Sequence, residues 1–93
     1  MYYDYMKKSD IKWAVYILRC ADNTFYAGIT TDLTRRLKSH LAGKASKYTR
    51  ARLPVTMVWT ETDHTESSAK KREAEIKKLS RKEKQKLLIA ESL

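Results

Sequence analysis

The sequence is poor in the residues that staple, kink or anchor a chain. Cys20 is its single cysteine, which excludes an intrachain disulfide and a metal site built from several thiolates. One proline and two glycines leave little room for flexible linkers, and no repeat or low-complexity stretch occurs. The longest apolar run near Cys20, Trp13–Leu18, is far too short to span a bilayer. The opening MYYDYMKKSDIK has neither an apolar signal core nor a small-residue cleavage pattern. The expectation is a cytoplasmic protein with no membrane attachment. Acidic side chains are scarce as well: 11 Asp and Glu stand against 20 Lys and Arg, a formal net charge of +9. Residues 47–93 hold 12 of the 20 basic residues. Such a field attracts polyanions, nucleic acid first and anionic membrane a distant second.

What is present suffices for one small core. A chain of 93 residues buries only about 60–65% of its unfolded surface. The reading is a single domain over 1–93, with its core in 12–90 and a poorly ordered N-terminal extension over 1–11. Trp13–Cys20 and Thr24–Thr30 are rich in β-branched and aromatic residues and flank Asp22-Asn23, a hairpin signal. A two-residue loop would pair Tyr16 with Ile29 and send Tyr16 and Tyr26 to opposite faces. A three-residue loop, Ala21–Asn23, ends in a residue that tolerates the left-handed conformation and pairs Tyr16 with Gly28 and Leu18 with Tyr26. Both phenols then share a face, because side chains alternate with period 2. Turn chemistry favours the second register.

A helix follows, with Thr31 as its cap, Asp32 in its first turn and Gly43 at its end. Leu33, Leu37 and Leu41 form its apolar stripe. His40 falls inside that stripe, Arg36 on its edge, and Arg35 points to solvent. The connection KASKYTRARLP then gathers Lys44, Lys47, Arg50 and Arg52 around Tyr48, a combination suited to phosphate contact and base stacking. Pro54 opens a third strand, Val55–Thr60, in which Val55, Met57 and Trp59 share one side. A helix over 66–79 buries Ala69, Ile76 and Leu79 and brings Arg72 and Glu73 into the same arc, while Glu75 faces solvent. A carboxylate there needs a partner, whether Arg72, a lysine or a divalent cation. Ser80-Arg81-Lys82-Glu83 is a capping box that starts a last helix, about 81–91.

In order along the chain, these residues resemble the GIY-YIG nuclease superfamily, and most closely its small stand-alone single-domain bacterial members. Ala14-Val15-Tyr16 and Tyr26-Ala27-Gly28 stand where the two triplets belong, followed by TDLTRRLKSH, KYTRARLP and AKKREAEIKKLSRKEK, about residues 12–88 in all. Ala14 replaces the motif's glycine, and Val15 and Ala27 replace isoleucines. The resemblance implies an α/β fold of the α+β kind, a small three-stranded antiparallel sheet flanked by about three helices. It also implies metal-dependent hydrolysis of a nucleic-acid phosphodiester, DNA ahead of RNA, with Mg²⁺ or Mn²⁺ as cofactor. By the same resemblance Tyr16 activates the attacking water and Tyr26 lines the site. Arg36 is the catalytic arginine, His40 the histidine one turn later and Glu73 the metal ligand, while Gly28 lets the chain pack near Tyr16. Substrate choice would come from the chain's own basic surface or from a protein partner, and a monomer is expected. Two rivals use the same fold without chemistry: a nucleic-acid-binding module and an interaction subunit.

Overall fold

The computed structural model describes residues 11–92; the N-terminal extension expected over 1–11 lies outside them but for Ile11. Strand β1 (Trp13–Arg19) runs between β2 (Phe25–Thr30) and β3 (Thr56–His64) in an antiparallel sheet ordered β2-β1-β3. Helix α1 (Leu33–Leu41) and the single turn α2 (Lys47–Arg50) precede β3, and α3 (Glu66–Lys78) and α4 (Arg81–Ser92) follow it. The sheet and its flanking helices are those the resemblance implies, with the turn α2 as one more helix inside the connection.

Strand β1 is apolar in both directions because both its faces are covered. Val15 and Ile17 point toward α3 and α4 and pack with Ala27, Trp59, Ala69 and Ile76. Tyr16, Leu18 and Cys20 point the other way and pack with Val55 and, from α1, Leu33 and Leu37. Each fully buried aliphatic side chain there contributes about 1.5–3 kcal/mol relative to exposure. The hairpin has the three-residue loop: Asn23 stands at φ 66°, and Cys20 donates its N–H to the Thr24 carbonyl at 2.8 Å. Asp22 Oδ1 accepts from the Thr24 N–H at 3.1 Å and holds the turn. Tyr16 pairs with Gly28 and Leu18 with Tyr26, so the two phenols do share the α1 face.

Four local expectations are corrected. The cap of α1 is Asp32, not Thr31: its Oδ1 accepts the Arg35 N–H at 3.1 Å, and its own N–H donates to Thr30 Oγ1. Gly43, at φ +74°, does end the helix, with Gly43 and Lys44 donating to the carbonyls of His40 and Ser39. Leu41 is 47% exposed, and His40 takes the buried place instead. Strand β3 runs on to His64, and an extra residue, Val58, stands between the pairs Ile17–Trp59 and Leu18–Met57. This bulge turns Trp59 to the α3 face while Val55 and Met57 stay on the α1 face. Finally, the connection read as a loop contains α2, capped by Ser46 Oγ, which accepts the Thr49 N–H at 3.1 Å.

Candidate active site

The site is built where β1 and β2 meet under α1. With no side chain at Gly28, the Tyr16 ring lies across its backbone: a Cβ there would stand 2.4 Å from Tyr16 Oη and 2.5 Å from Cζ. Arg36 and His40, one turn apart on α1, both reach that hydroxyl. Arg36 Nε donates to Tyr16 Oη at 3.4 Å, and His40 Nε2 lies 2.8 Å from the same oxygen. On the other side of the imidazole, Nδ1 is 2.9 Å from Thr49 Oγ1. Tyr16, His40 and Thr49 have no exposed surface. A cleft lined by Thr30, Thr31, Asp32, Arg35, Arg36 and Ser39 opens beside the guanidinium.

Burial decides the protonation of this cluster. It pushes the Tyr16 phenol above its ordinary range, and the hydrogen bond and charge of Arg36 pull it back without cancelling the shift. The charges of Tyr26 and then Glu73 also oppose the phenolate. Burial first, and then the charge of Arg36, lowers His40 below the ordinary imidazole value. The resting pair is a neutral phenol on a neutral imidazole.

That shift has a consequence for stability. The unfolded chain, with His40 near its ordinary 6.5, binds a proton more readily than the folded one, so stability rises with pH. The contribution is complete above about pH 6.5 and is lost as pH falls through the lower folded value. Thermal melts from about pH 7 to about pH 5 should therefore fall more steeply for the wild type than for His40→Gln. Equal slopes would contradict a buried neutral His40.

Of the remaining sequence candidates, Tyr26 touches this centre. Tyr26 stacks edge-on to His40 at 5.4 Å and lies nearly parallel to Tyr48 at 6.0 Å. Arg52 places its guanidinium 3.8 Å from the Tyr48 ring centroid, donates to Asp22 Oδ2 at 3.0 Å and to the Tyr48 carbonyl at 3.0 Å. The Tyr48 ring, expected to stack on a base, thus already carries a guanidinium, and Arg52 fastens the connection to the hairpin turn. Lys44, Lys47 and Arg50 are exposed and have no carboxylate partner among the described residues. Glu73 is half-buried and pairs with Lys77 at 3.4 Å. Arg72, the other partner considered for it, instead bonds Glu61 at 3.0 Å and the exposed Glu75 at 3.1 Å. Cys20 is buried and takes no part.

Thr49 and Ser46 are the residues that the sequence did not reveal. Ser46 three positions before Thr49 is a cap signal that could have marked α2. The contact of Thr49 with His40 crosses the connection and has no local signature.

With this geometry in hand, relatives are informative. Residues 12–86 match the GIY-YIG catalytic domain. A UPF0213 protein of Natronomonas pharaonis is 50% identical over 78 residues, covering 84% of this chain and 92% of that one. The solution structure of a UPF0213 protein of Bacillus halodurans aligns with a TM-score of 0.56 at 43% identity, over 85% of this chain and 84% of the other. A solution structure of an E. faecalis protein gives a TM-score of 0.59 at 44% identity over the same shares. The chain belongs to the GIY-YIG family, and within it to the UPF0213 proteins.

Proposed function

We propose that the chain is a divalent-metal-dependent endonuclease that hydrolyses phosphodiester bonds of nucleic acid, DNA ahead of RNA, in repair or recombination. One observation carries this reading: Arg36 Nε and His40 Nε2 converge on the single oxygen Tyr16 Oη. That is the arrangement a water-activating phenol needs, with an acceptor for its proton and a cation beside its charge. Tyr16 would give its proton to His40 Nε2 and take one from the attacking water, which reaches Oη only when the cover over the buried ring opens. Arg36 holds the phenolate through Nε, and its terminal nitrogens, unengaged among the described residues, offset charge on the phosphoryl oxygens in the adjoining cleft.

Glu73 would hold the cation. Among the described residues no group of three His, Cys, Asp or Glu side chains can form a cage. A single carboxylate fits Mg²⁺ or Mn²⁺, which keep waters and accept substrate oxygens as their remaining ligands. Bound there, the ion supplies Lewis-acid stabilisation of the phosphoryl group. The exposed Lys44, Lys47 and Arg50 would carry phosphate contacts.

A binding-only module is favoured by one observation: Tyr16 has no exposed surface, and burial holds its phenol neutral. The two readings separate on Glu73→Gln. With flap, branched and single-stranded DNA and RNA as substrates, the nuclease loses about 100-fold or more in Mg²⁺-dependent cleavage. Its affinity in the presence of a chelator stays at the wild-type level. Binding without product from any substrate, by wild type and variant alike, would establish the module instead.

A further inference from the structure

We propose that Thr49 is a positioning residue of this site: its Oγ1 accepts the Nδ1 proton of His40 and so keeps Nε2 bare toward Tyr16. The argument is an accounting of protons. Arg36 can only donate, so Tyr16 Oη accepts from it. The phenol is fully buried, and among the described residues the acceptor within reach of its own proton is His40 Nε2 at 2.8 Å. A neutral imidazole that accepts at Nε2 carries its proton on Nδ1. Among the described residues that proton has one destination, Thr49 Oγ1, at 2.9 Å. Thr49 then donates its own proton to Ser46, whose Oγ lies 2.9 Å away and whose carbonyl lies 3.4 Å away. In this arrangement the protons on Arg36 Nε, Tyr16 Oη, His40 Nδ1 and Thr49 Oγ1 each have an acceptor. In the other tautomer, with Nε2 protonated, Tyr16 Oη would face two donors and its buried proton would have no partner, a cost of about 1–3 kcal/mol.

The local structure fits a residue placed for this purpose. His40 and Thr49 are the two buried polar residues among those described. The turn α2 buries no apolar side chain, and it is Thr49 that it turns inward, with Ser46 capping it. Valine has nearly the same shape and more apolar surface, so packing alone would be served as well by Val at 49.

The catalytic consequence rests on the nuclease reading; the tautomer does not. Nitrogen-15 NMR of the His40 ring in the full chain reads it directly. The wild type should show a protonated Nδ1 and a bare Nε2, and Thr49→Ser should keep that pattern. Thr49→Val should leave the Nδ1 proton without an acceptor, so the ring should lose its single fixed state and its nitrogen signals should shift and broaden. In cleavage, Thr49→Val should lower kcat by about 10–100-fold, the usual effect of removing a group that orients a functional imidazole. KM should stay unchanged, and Thr49→Ser should restore the rate. A wild-type His40 protonated at Nε2 would overturn the proposal without any variant having to fold. So would ring nitrogen signals in Thr49→Val identical to those of the wild type, or a Thr49→Ser variant as impaired as Thr49→Val. If no nucleic acid is cut by any form, the nuclease reading fails while the NMR result still decides the role of Thr49.

Discussion

Gly28→Ala should abolish cleavage in a chain that still folds. Backbone conformation is no obstacle, since Gly28 lies in β2 opposite Tyr16, and alanine in a strand is ordinarily the better residue by about 0.5–1 kcal/mol. The obstacle is the ring. A methyl group at 28 would stand 2.4 Å from Tyr16 Oη and 2.5 Å from Cζ, far inside van der Waals contact. Tyr16 cannot swing clear, because it is wholly buried between the glycine and α1. It must shift, and the shift breaks the bonds of its hydroxyl to Arg36 and His40. Overpacking of this kind costs about 1–3 kcal/mol, tolerable for the fold and not for a site that depends on one oxygen. Thermal denaturation and a cleavage assay on the same preparation check this. Wild-type stability together with wild-type rate would mean that the ring is free to move and the contact is incidental.

Much of this arrangement was legible in the sequence because it is local or periodic. Asn23 can take the left-handed conformation that a three-residue hairpin loop needs, and that single turn fixed the register that puts Tyr16 and Tyr26 on one face. The spacing of Arg36 and His40 along a leucine stripe placed both against the sheet. Ser80 and Glu83 formed the capping box they spell, each accepting the other's backbone N–H. The failures have tertiary causes. Val55, Met57 and Trp59 alternate as one face of a strand, but the bulge at Val58 sends Trp59 to the other side. Leu41 looks like a core residue by period, yet α1 ends over solvent there and the buried volume goes to His40. Thr31 and Asp32 are both good caps, and the choice fell to Asp32 because Thr30 Oγ1 accepts its N–H. Thr49 was invisible because its partner lies nine residues away across a connection with no apolar pattern. The sequence leaves Glu73 three partners, Arg72, a lysine or a divalent cation; Arg72 turns to Glu61 and Glu75, and it is a lysine, Lys77, that pairs with Glu73.

Tyr16→Phe isolates the chemistry from everything else in the site. Removing the hydroxyl leaves the ring packed over Gly28 and takes away one atom that two side chains share. His40 Nε2, buried and then without a donor, makes the change cost about 1–3 kcal/mol of stability. Affinity for nucleic acid should not change, since Tyr16 presents no surface to a ligand. The rate should fall by about 10²–10⁴-fold, the usual contribution of a positioned acid–base group. Wild type and Tyr16→Phe should therefore be compared in single-turnover cleavage of branched DNA, with protein in excess and Mg²⁺ present, so that differences in binding cancel. Strand breaks by the wild type, slowed at least about 100-fold in the variant, are the predicted result. Equal rates in the two proteins would contradict a site centred on Tyr16 Oη.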